Sequence, residues 1–161
     1  MTTTPSPRTA TAVAPVPCAL TALGIVNCLG VGRTQIWPRL LAGDQSGLVR
    51  RSDFIPGMDL LVGAVAAELP QIAKSLSRYD CRNNALSLLA LTQIETEVRE
   101  AIAKFGPGRV GVVMGTSTSG SAEGEAAILN HYRHGFLLPQ FEYPQLEFGG
   151  AAGFVAAYLE I

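Results

Sequence analysis

The hydrophobic pattern of the first third of the chain alternates between strand-like and helix-like spacing. Residues 18–24, CALTALG, have the alternating small and apolar positions of a strand. Apolar residues at three- and four-residue steps then predict a helix over 34–42 that ends at Gly43. The pattern from 46 to 68 is irregular, and Pro56-Gly57 divides it, which indicates an excursion with one or two short strands.

The longest periodic segment runs from about 81 to 105 and predicts one helix with a buried face. Its repeating apolar positions are Leu88, Leu91, Ile94, Val98 and Ile102. Asp80 is a suitable N-cap, and Gly106-Pro107-Gly108 ends the helix sharply.

The last third of the chain repeats the order of strand, turn and helix. Residues 110–114, VGVVM, have no polar alternation, as expected of a strand covered on both faces of a parallel sheet. Helices are predicted over 122–132 and 145–159. The loop 135–144 between them holds several large apolar side chains and should pack on something, such as a subunit interface or an acyl pocket. This order predicts a layered α/β fold.

Composition limits the organisation and the partners of the chain. Its 161 residues are 48% hydrophobic and 16% charged, enough for one globular domain, which we place at 17–161. Residues 1–16 are rich in Thr, Ala and Pro and are expected to be a disordered lead-in. A net charge of -1 from 12 basic and 13 acidic residues argues against nucleic acid as a partner.

The expected location is the cytoplasm. No uninterrupted apolar segment reaches the roughly 18 residues of a membrane span, so we expect a soluble protein without a membrane span. Cys18, Cys28 and Cys81 are widely spaced and form no CxxC pair, which favours a reducing compartment and indicates neither a disulfide framework nor a zinc site.

The Gly/Ser/Thr loop at 115–120, GTSTSG, is the first candidate for chemistry, because it follows an apolar run and precedes a helix. The serine hydrolase pattern G-x-S-x-G fails, since Ser119 stands where the second glycine is needed. The phosphate-binding pattern G-x-x-x-x-G-K fails at Ser121. A turn whose glycines only permit close packing is the alternative to a functional site.

Cys81 is the only cysteine with a reactive-looking neighbourhood, since it lies at a helix start beside Arg82 and close to Arg78. A partly buried, inert thiol is the favoured interpretation of this residue. His131 and His134 are spaced as H-x-x-H near a helix end but have no third ligand at a useful spacing, so we expect no metal.

The same two histidines are expected to complement the helix dipole at its C-terminal end. Glu123 and Glu125 open that helix, and their carboxylates are expected to complement its N-terminal end. No complete catalytic constellation is visible, and no cofactor is expected.

Four stretches of the chain resemble the amino-terminal part of the β-ketoacyl-ACP synthases, the condensing enzymes of fatty-acid and polyketide synthesis. They are TALGIVNCLGVGRTQIWPRLLAGDQSGL (21–48), RNNALSLLALTQI (82–94), RVGVVMGTSTSG (109–120) and FEYPQLEFGGAAGFVAAYLEI (141–161). The resemblance implies the α/β thiolase-like fold, in which two similar halves stack into five layers, usually in a homodimer. The loop 115–120 and the segment 141–147 are also similar to those of aryl polyene synthases.

In the family, a nucleophilic cysteine in a T-A-C-S-type motif follows a helix like 145–159. Its thiolate takes an acyl group from acyl carrier protein, and the carbanion formed from malonyl-ACP attacks that acyl group, with two downstream His, or His and Asn, in support. The resemblance therefore implies that this chain is an incomplete amino-terminal half, cut before the nucleophile and inactive alone. None of its three cysteines matches the nucleophile's place.

The resemblance also implies substrate-binding positions and partners. Thr118 corresponds to a side chain at the border of the acyl pocket, and Phe141 and Phe148 bound a segment that reaches the dimer interface and the partner's pocket. The implied partners are acyl carrier protein, acyl and malonyl thioesters, and a second subunit, identical or related. The alternative is a complete, non-catalytic binding or dimerisation module, analogous to the chain length factors.

Overall fold

The computed structural model describes residues 17–161, so the predicted lead-in lies outside the described residues. Two short strand pairs and five α-helices follow one another, with brief 3-10 helices between them. The strands are β1 Val26–Asn27, β2 Gly30–Val31, β3 Leu48–Ile55 and β4 Met58–Gly63. The α-helices of this described part are α1 Arg33–Leu41, α2 Arg82–Leu91, α3 Glu95–Phe105, α4 Ser121–His134 and α5 Gly150–Leu159, and the 3-10 helices are Lys74–Tyr79, Pro107–Arg109 and Tyr143–Gln145.

The hydrophobic core lies between α2 and α5. Leu88 of α2 is buried together with Phe154, Val155 and Leu159 of α5, and half-buried apolar residues of α3 pack against this cluster. The ring of Phe154 lies 6.2 Å from that of Tyr79, centroid to centroid. The core is therefore built from the apolar positions that recur at helical spacing, as their periodicity predicts.

Side chains of α3 hold the C-terminal end of α5. Arg99 donates hydrogen bonds to the carbonyls of Tyr158 and Leu159, at 3.3 and 3.2 Å, where a helix leaves its last carbonyls unpaired. The Tyr158 hydroxyl donates to Glu95 at 3.0 Å. Burial, reinforced by the Glu95 carboxylate, raises the pKa of Tyr158 above its usual range.

The predictions for the first third of the chain after residue 24 are largely confirmed. Helix α1 begins and ends within one residue of the predicted bounds, and Gly43 beyond it has a φ of +66° and donates to the Leu40 carbonyl. The excursion is the antiparallel hairpin β3–β4, in which Leu48 faces Gly63 and the Pro56-Gly57 pair makes the turn. Every residue of β3 is exposed.

The two strand predictions at 18–24 and 110–114 are wrong. Both segments have no regular secondary structure and pair with no strand in the part of the chain that the structure describes. Val113 is 97% exposed, so the expected cover on both faces is missing there as well. Because a strand is defined by the backbone hydrogen bonds of a neighbour, an apolar run without such a neighbour remains coil.

The predicted single helix over 81–105 is two helices. Helix α2 ends at Leu91, and Ile94 precedes α3 with a φ of -127°, which is outside helical geometry. Between the helices, the Gln93 side chain exchanges hydrogen bonds with the backbone of Ile25, at 3.1 and 3.2 Å. This contact to a distant segment lies at the break between the two helices. The predicted sharp end is confirmed, because α3 ends at Phe105 and Gly106 has a φ of +85°.

The Asp80 cap prediction is wrong, since Cys81 occupies the N-cap of α2 and makes no side-chain cap. The Glu123 carboxylate of α4 accepts the hydrogen bond of the Arg82 amide instead, at 3.1 Å. A residue from another helix thus satisfies an amide that the N-cap residue leaves free.

The predicted helix 122–132 is confirmed as α4, with slightly wider bounds, whereas the predicted helix 145–159 begins only at Gly150. Pro144 lies in the 3-10 helix that precedes it. The loop 135–144 is packed only in part, because Leu138 and Phe141 are half-buried while Phe136 and Leu137 are exposed. Among the helices of the described residues, none combines the length and the apolar character needed to cross a membrane.

Candidate functional site

The loop 115–120 is held at its C-terminal end and open at its start. Ser119 is buried, and its hydroxyl oxygen accepts a hydrogen bond from the Asn83 side chain of α2, at 3.2 Å. The Thr116 hydroxyl donates to the Thr118 carbonyl at 2.5 Å, which closes a local turn. Gly115 has nothing within contact distance of a side chain built on it. The end of the loop is therefore fixed at the start of α4, and its beginning faces outward.

Gly120 joins the loop to α4 and requires the absence of a side chain. Its φ of +55° lies in the left-handed region, and a Cβ there would overlap the carbonyl oxygen of Gln145. One helical turn further on, Gly124 faces the side chain of Leu146, which a Cβ would meet at 3.0 Å. These glycines allow α4 to lie directly on the turn at 143–146, so close packing is at least one role of the Gly-rich segment.

Gln145 connects this turn to its surroundings, and the sequence reasoning missed it. Its side chain is buried, donates to the carbonyls of Asp80 and Gln140 at 2.9 and 3.3 Å, and accepts from the Glu142 amide at 3.0 Å. The Glu142 side chain in turn accepts from the Gln145 amide, which completes a capping box. The spacing Glu-x-x-Gln, with Pro144 between, was the signal that could have revealed this role.

A cavity of about 590 Å³ lies beside this turn. One part of its wall is apolar and includes Leu138 and Phe141, and the other carries carboxylates and amides. Its lining residues are Ser77, Asp80, Ala122, Glu123, Ala126, Leu138, Pro139, Gln140, Phe141, Glu142 and Gln145. The arrangement can hold a mostly apolar group with hydrogen-bond donors at one end.

The three residues predicted to bind substrate are not brought together around this cavity. Phe141 lines it and is half-buried, whereas Thr118 and Phe148 do not line it and are exposed, Phe148 by 67%. Their assignment to an acyl pocket therefore stays a prediction from the resemblance.

The candidate cysteines and histidines do not line this cavity. Cys81 is only 3% exposed, which agrees with the favoured interpretation of a buried thiol, while Cys28 is half-buried and Cys18 is exposed. His131 and His134 are exposed in the last turn of α4. Within residues 17–161, no group of three or more His, Cys, Asp or Glu side chains is placed to hold a metal ion.

Comparison with solved structures shows that the chain is similar to a protein of known structure. No protein-family model and no curated protein matches the chain. Over 87% of its length, the chain is 40% identical to a chain of the solved complex between the ketosynthase ApeO and its chain length factor ApeC from Xenorhabdus doucetiae, with a TM-score of 0.79. The chain has part of a ketosynthase-type fold. The predicted resemblance and the thiolase-like α/β fold class are thereby confirmed.

This ketosynthase-like chain spans 36% of the length of the chain that it matches. The matched complex contains two kinds of subunit, a ketosynthase and a chain length factor. The match therefore identifies the fold of these residues, and it is compatible with either kind of subunit.

Proposed function

We propose that residues 17–161 form the amino-terminal part of a β-ketoacyl-ACP synthase. The observation that carries this proposal is the 40% identity over 87% of the chain to a protein of a ketosynthase complex, together with a TM-score of 0.79. The intact protein would perform a decarboxylative Claisen condensation, in which a cysteine-bound acyl thioester is attacked by the carbanion that malonyl-ACP forms on losing CO₂. The catalytic Cys and His residues would be supplied by sequence outside these 161 residues, and the 161 residues alone would be inactive.

In this proposal the chain supplies scaffold and one wall of the acyl pocket. The anchored end of the loop 115–120 and the half-buried Phe141 support that role, because both are positioned by the same buried Gln145 turn. Thr118 and Phe148 are proposed to reach the pocket or the subunit interface in the assembled protein. Acyl carrier protein and a second thiolase-fold subunit, identical or related, are the proposed partners, and membership of the aryl polyene group stays a prediction.

A second candidate function is that of a non-catalytic partner subunit. The matched complex holds a chain length factor beside its ketosynthase, so the same identity and TM-score support a chain of that kind. Such a subunit would share the fold and the interface and would lack the nucleophilic cysteine.

The nucleotide sequence downstream of codon 161 distinguishes the two candidates. The proposed synthase predicts an in-frame T-A-C-type motif shortly after Ile161, whereas a partner subunit predicts a related continuation without the cysteine. A stop codon directly after Ile161 in the native gene would contradict both forms of the proposal and favour an independent module.

A further inference from the structure

The C-terminal end of α5 has a backbone conformation that its residue type disfavours. Glu160, directly after the helix, has a φ of +60° and a ψ of +47°, and among the described residues it is the only one with a side chain in the left-handed region. Glycine is the usual residue at this place, because a Cβ makes the left-handed conformation costly. Such a conformation persists only where the surrounding structure holds it.

Arg99 of α3 holds this end of the helix from one side. Its guanidinium donates to the carbonyls of Tyr158 and Leu159, at 3.3 and 3.2 Å, which the helix itself leaves free. The Glu95 carboxylate accepts two hydrogen bonds from the same guanidinium, at 3.2 and 3.1 Å, and one from the Tyr158 hydroxyl, at 3.0 Å. Arg99 is thereby kept in one orientation, with its positive charge at the negative end of the α5 dipole.

Ile161 holds the chain after the left-handed residue. Its amide donates to the Ala156 carbonyl at 3.1 Å, and its half-buried side chain packs against the core between α2 and α5. Two separate sets of contacts therefore define the direction in which the chain leaves α5, one made by Arg99 before Glu160 and one made by Ile161 after it.

We infer that Arg99 is a positioning residue, which fixes the exit of the chain from α5 and thereby the place of the nucleophilic cysteine that follows Ile161 in the proposed synthase. The inference rests on the proposed function for the cysteine, whereas the exit itself is built from residues of this chain. Arg99 acts through the backbone of residues 158–161 and not on the acyl group. Because a displacement of about 1 Å at a reacting group can cost roughly a hundredfold in rate, a small change of the exit should be visible in acyl transfer.

The test compares acyl transfer by the product of the full reading frame and by its variants, with the acyl-CoA that acylates the unaltered protein fastest. In this step the cysteine thiolate attacks the thioester carbonyl and CoA leaves as its thiolate. We expect Arg99→Met, which removes the guanidinium, to lower the kcat of acylation at least about tenfold while KM stays within about twofold. Arg99→Lys keeps the charge without the planar fork and should give a kcat between those two values.

A second substitution separates positioning from a general loss of stability. Glu160→Gly allows the same left-handed turn without a Cβ, so in the Arg99→Met background it should restore kcat to at least about half of the unaltered value. The matched control is Arg109→Met, which removes an exposed arginine just beyond α3 and should leave kcat and KM unchanged. Slow exchange of the α2 amides shows that each variant is folded at the assay temperature.

Hydrogen exchange tests the exit itself, whatever sequence follows Ile161. In Arg99→Met the amides of Glu160 and Ile161 should exchange at least about tenfold faster than in the unaltered protein, while those of α2 do not change. The inference is overturned if these two amides keep their protection, if the kcat of Arg99→Met equals that of the unaltered protein, or if Glu160→Gly restores nothing. An unaltered product that no acyl-CoA acylates would contradict the synthase proposal, and the exchange of the two amides would then decide the inference.

Discussion

Single glycines decide how closely α4 approaches the turn at 143–146, and Gly120 is the strictest of them. We predict that Gly120→Ala destabilises the start of α4 by at least about 2 kcal/mol, because the alanine must adopt a left-handed φ and also displace the Gln145 carbonyl. Amide exchange in α4 should then accelerate about thirtyfold.

Gly115→Ala is the matched control for this change, since a Cβ at Gly115 meets no atom within 4 Å. It should alter the stability of the start of α4 by less than about 0.5 kcal/mol. Equal effects of the two substitutions would show that Gly120 is not packed against the turn.

The hydrogen bonds of the Asp44 carboxylate can be tested by their dependence on pH. The Ser46 amide, then the Arg39 guanidinium, donate hydrogen bonds to its carboxylate and lower the pKa of Asp44 to about 2. Because this folded pKa lies below the unfolded value of 3.8, the turn is stabilised above about pH 4, and that stabilisation is lost as the pH falls through about 2.

We expect a carboxyl-carbon NMR titration of Asp44 in the folded chain to have its midpoint near 2, and Arg39→Met to raise it. Asp44→Asn should remove the pH dependence of the turn. A midpoint near 3.8 in the unaltered chain would mean that these hydrogen bonds are not formed.

Among the elements, the hairpin β3–β4 is the most independent of the helical core. All of β3 is exposed, and the residues that flank the hairpin are joined by the hydrogen bond from the Ala64 amide to the Gly47 carbonyl, at 3.0 Å. We predict that replacing residues 50–61 by Asn-Gly, which keeps Val49 opposite Val62, leaves amide protection in α2 and α5 unchanged within about twofold. Loss of protection in those helices would show that the hairpin supports the core.

The elements also show what local sequence could predict. Helix α1, the hairpin and the end of α3 depend on nearby spacing and on Gly or Pro, so their prediction succeeded. The break between α2 and α3 coincides with a contact between Gln93 and Ile25, which is 68 residues away along the chain and cannot be read from local spacing. The strand predictions at 18–24 and 110–114 are wrong because a strand needs a neighbouring segment to pair with, and the described residues do not provide one.

Less of the candidate site than of the fold could be predicted from the sequence. Because the loop 115–120 matches neither the hydrolase nor the phosphate-binding pattern, close packing remained as its predicted role, and the structure confirms that packing at Gly120. The predicted burial of the Cys81 thiol is also confirmed. Gln145 was missed because its three hydrogen bonds join the backbone at 80, 140 and 142, and only the last of these is suggested by local spacing.

At the scale of the whole molecule, the chain combines a small helical core with two apolar segments, 18–24 and 110–114, that pair with no strand among the described residues. The match over 36% of a ketosynthase-complex chain explains this combination, because the layers of a thiolase-like fold bury their strands between helices.

Intact-protein mass spectrometry after incubation with an acyl thioester tests the central claim most directly. We predict that the 161-residue chain, with Cys18, Cys28 and Cys81, keeps its mass, because none of these thiols stands at the place of the family's nucleophile and Cys81 is buried. The product of the full reading frame should gain one acyl group, and a variant lacking the cysteine of its T-A-C-type motif should gain none. Acylation of the 161-residue chain itself, or an unmodified full product, would contradict the claim that these residues are the amino-terminal part of a condensing enzyme.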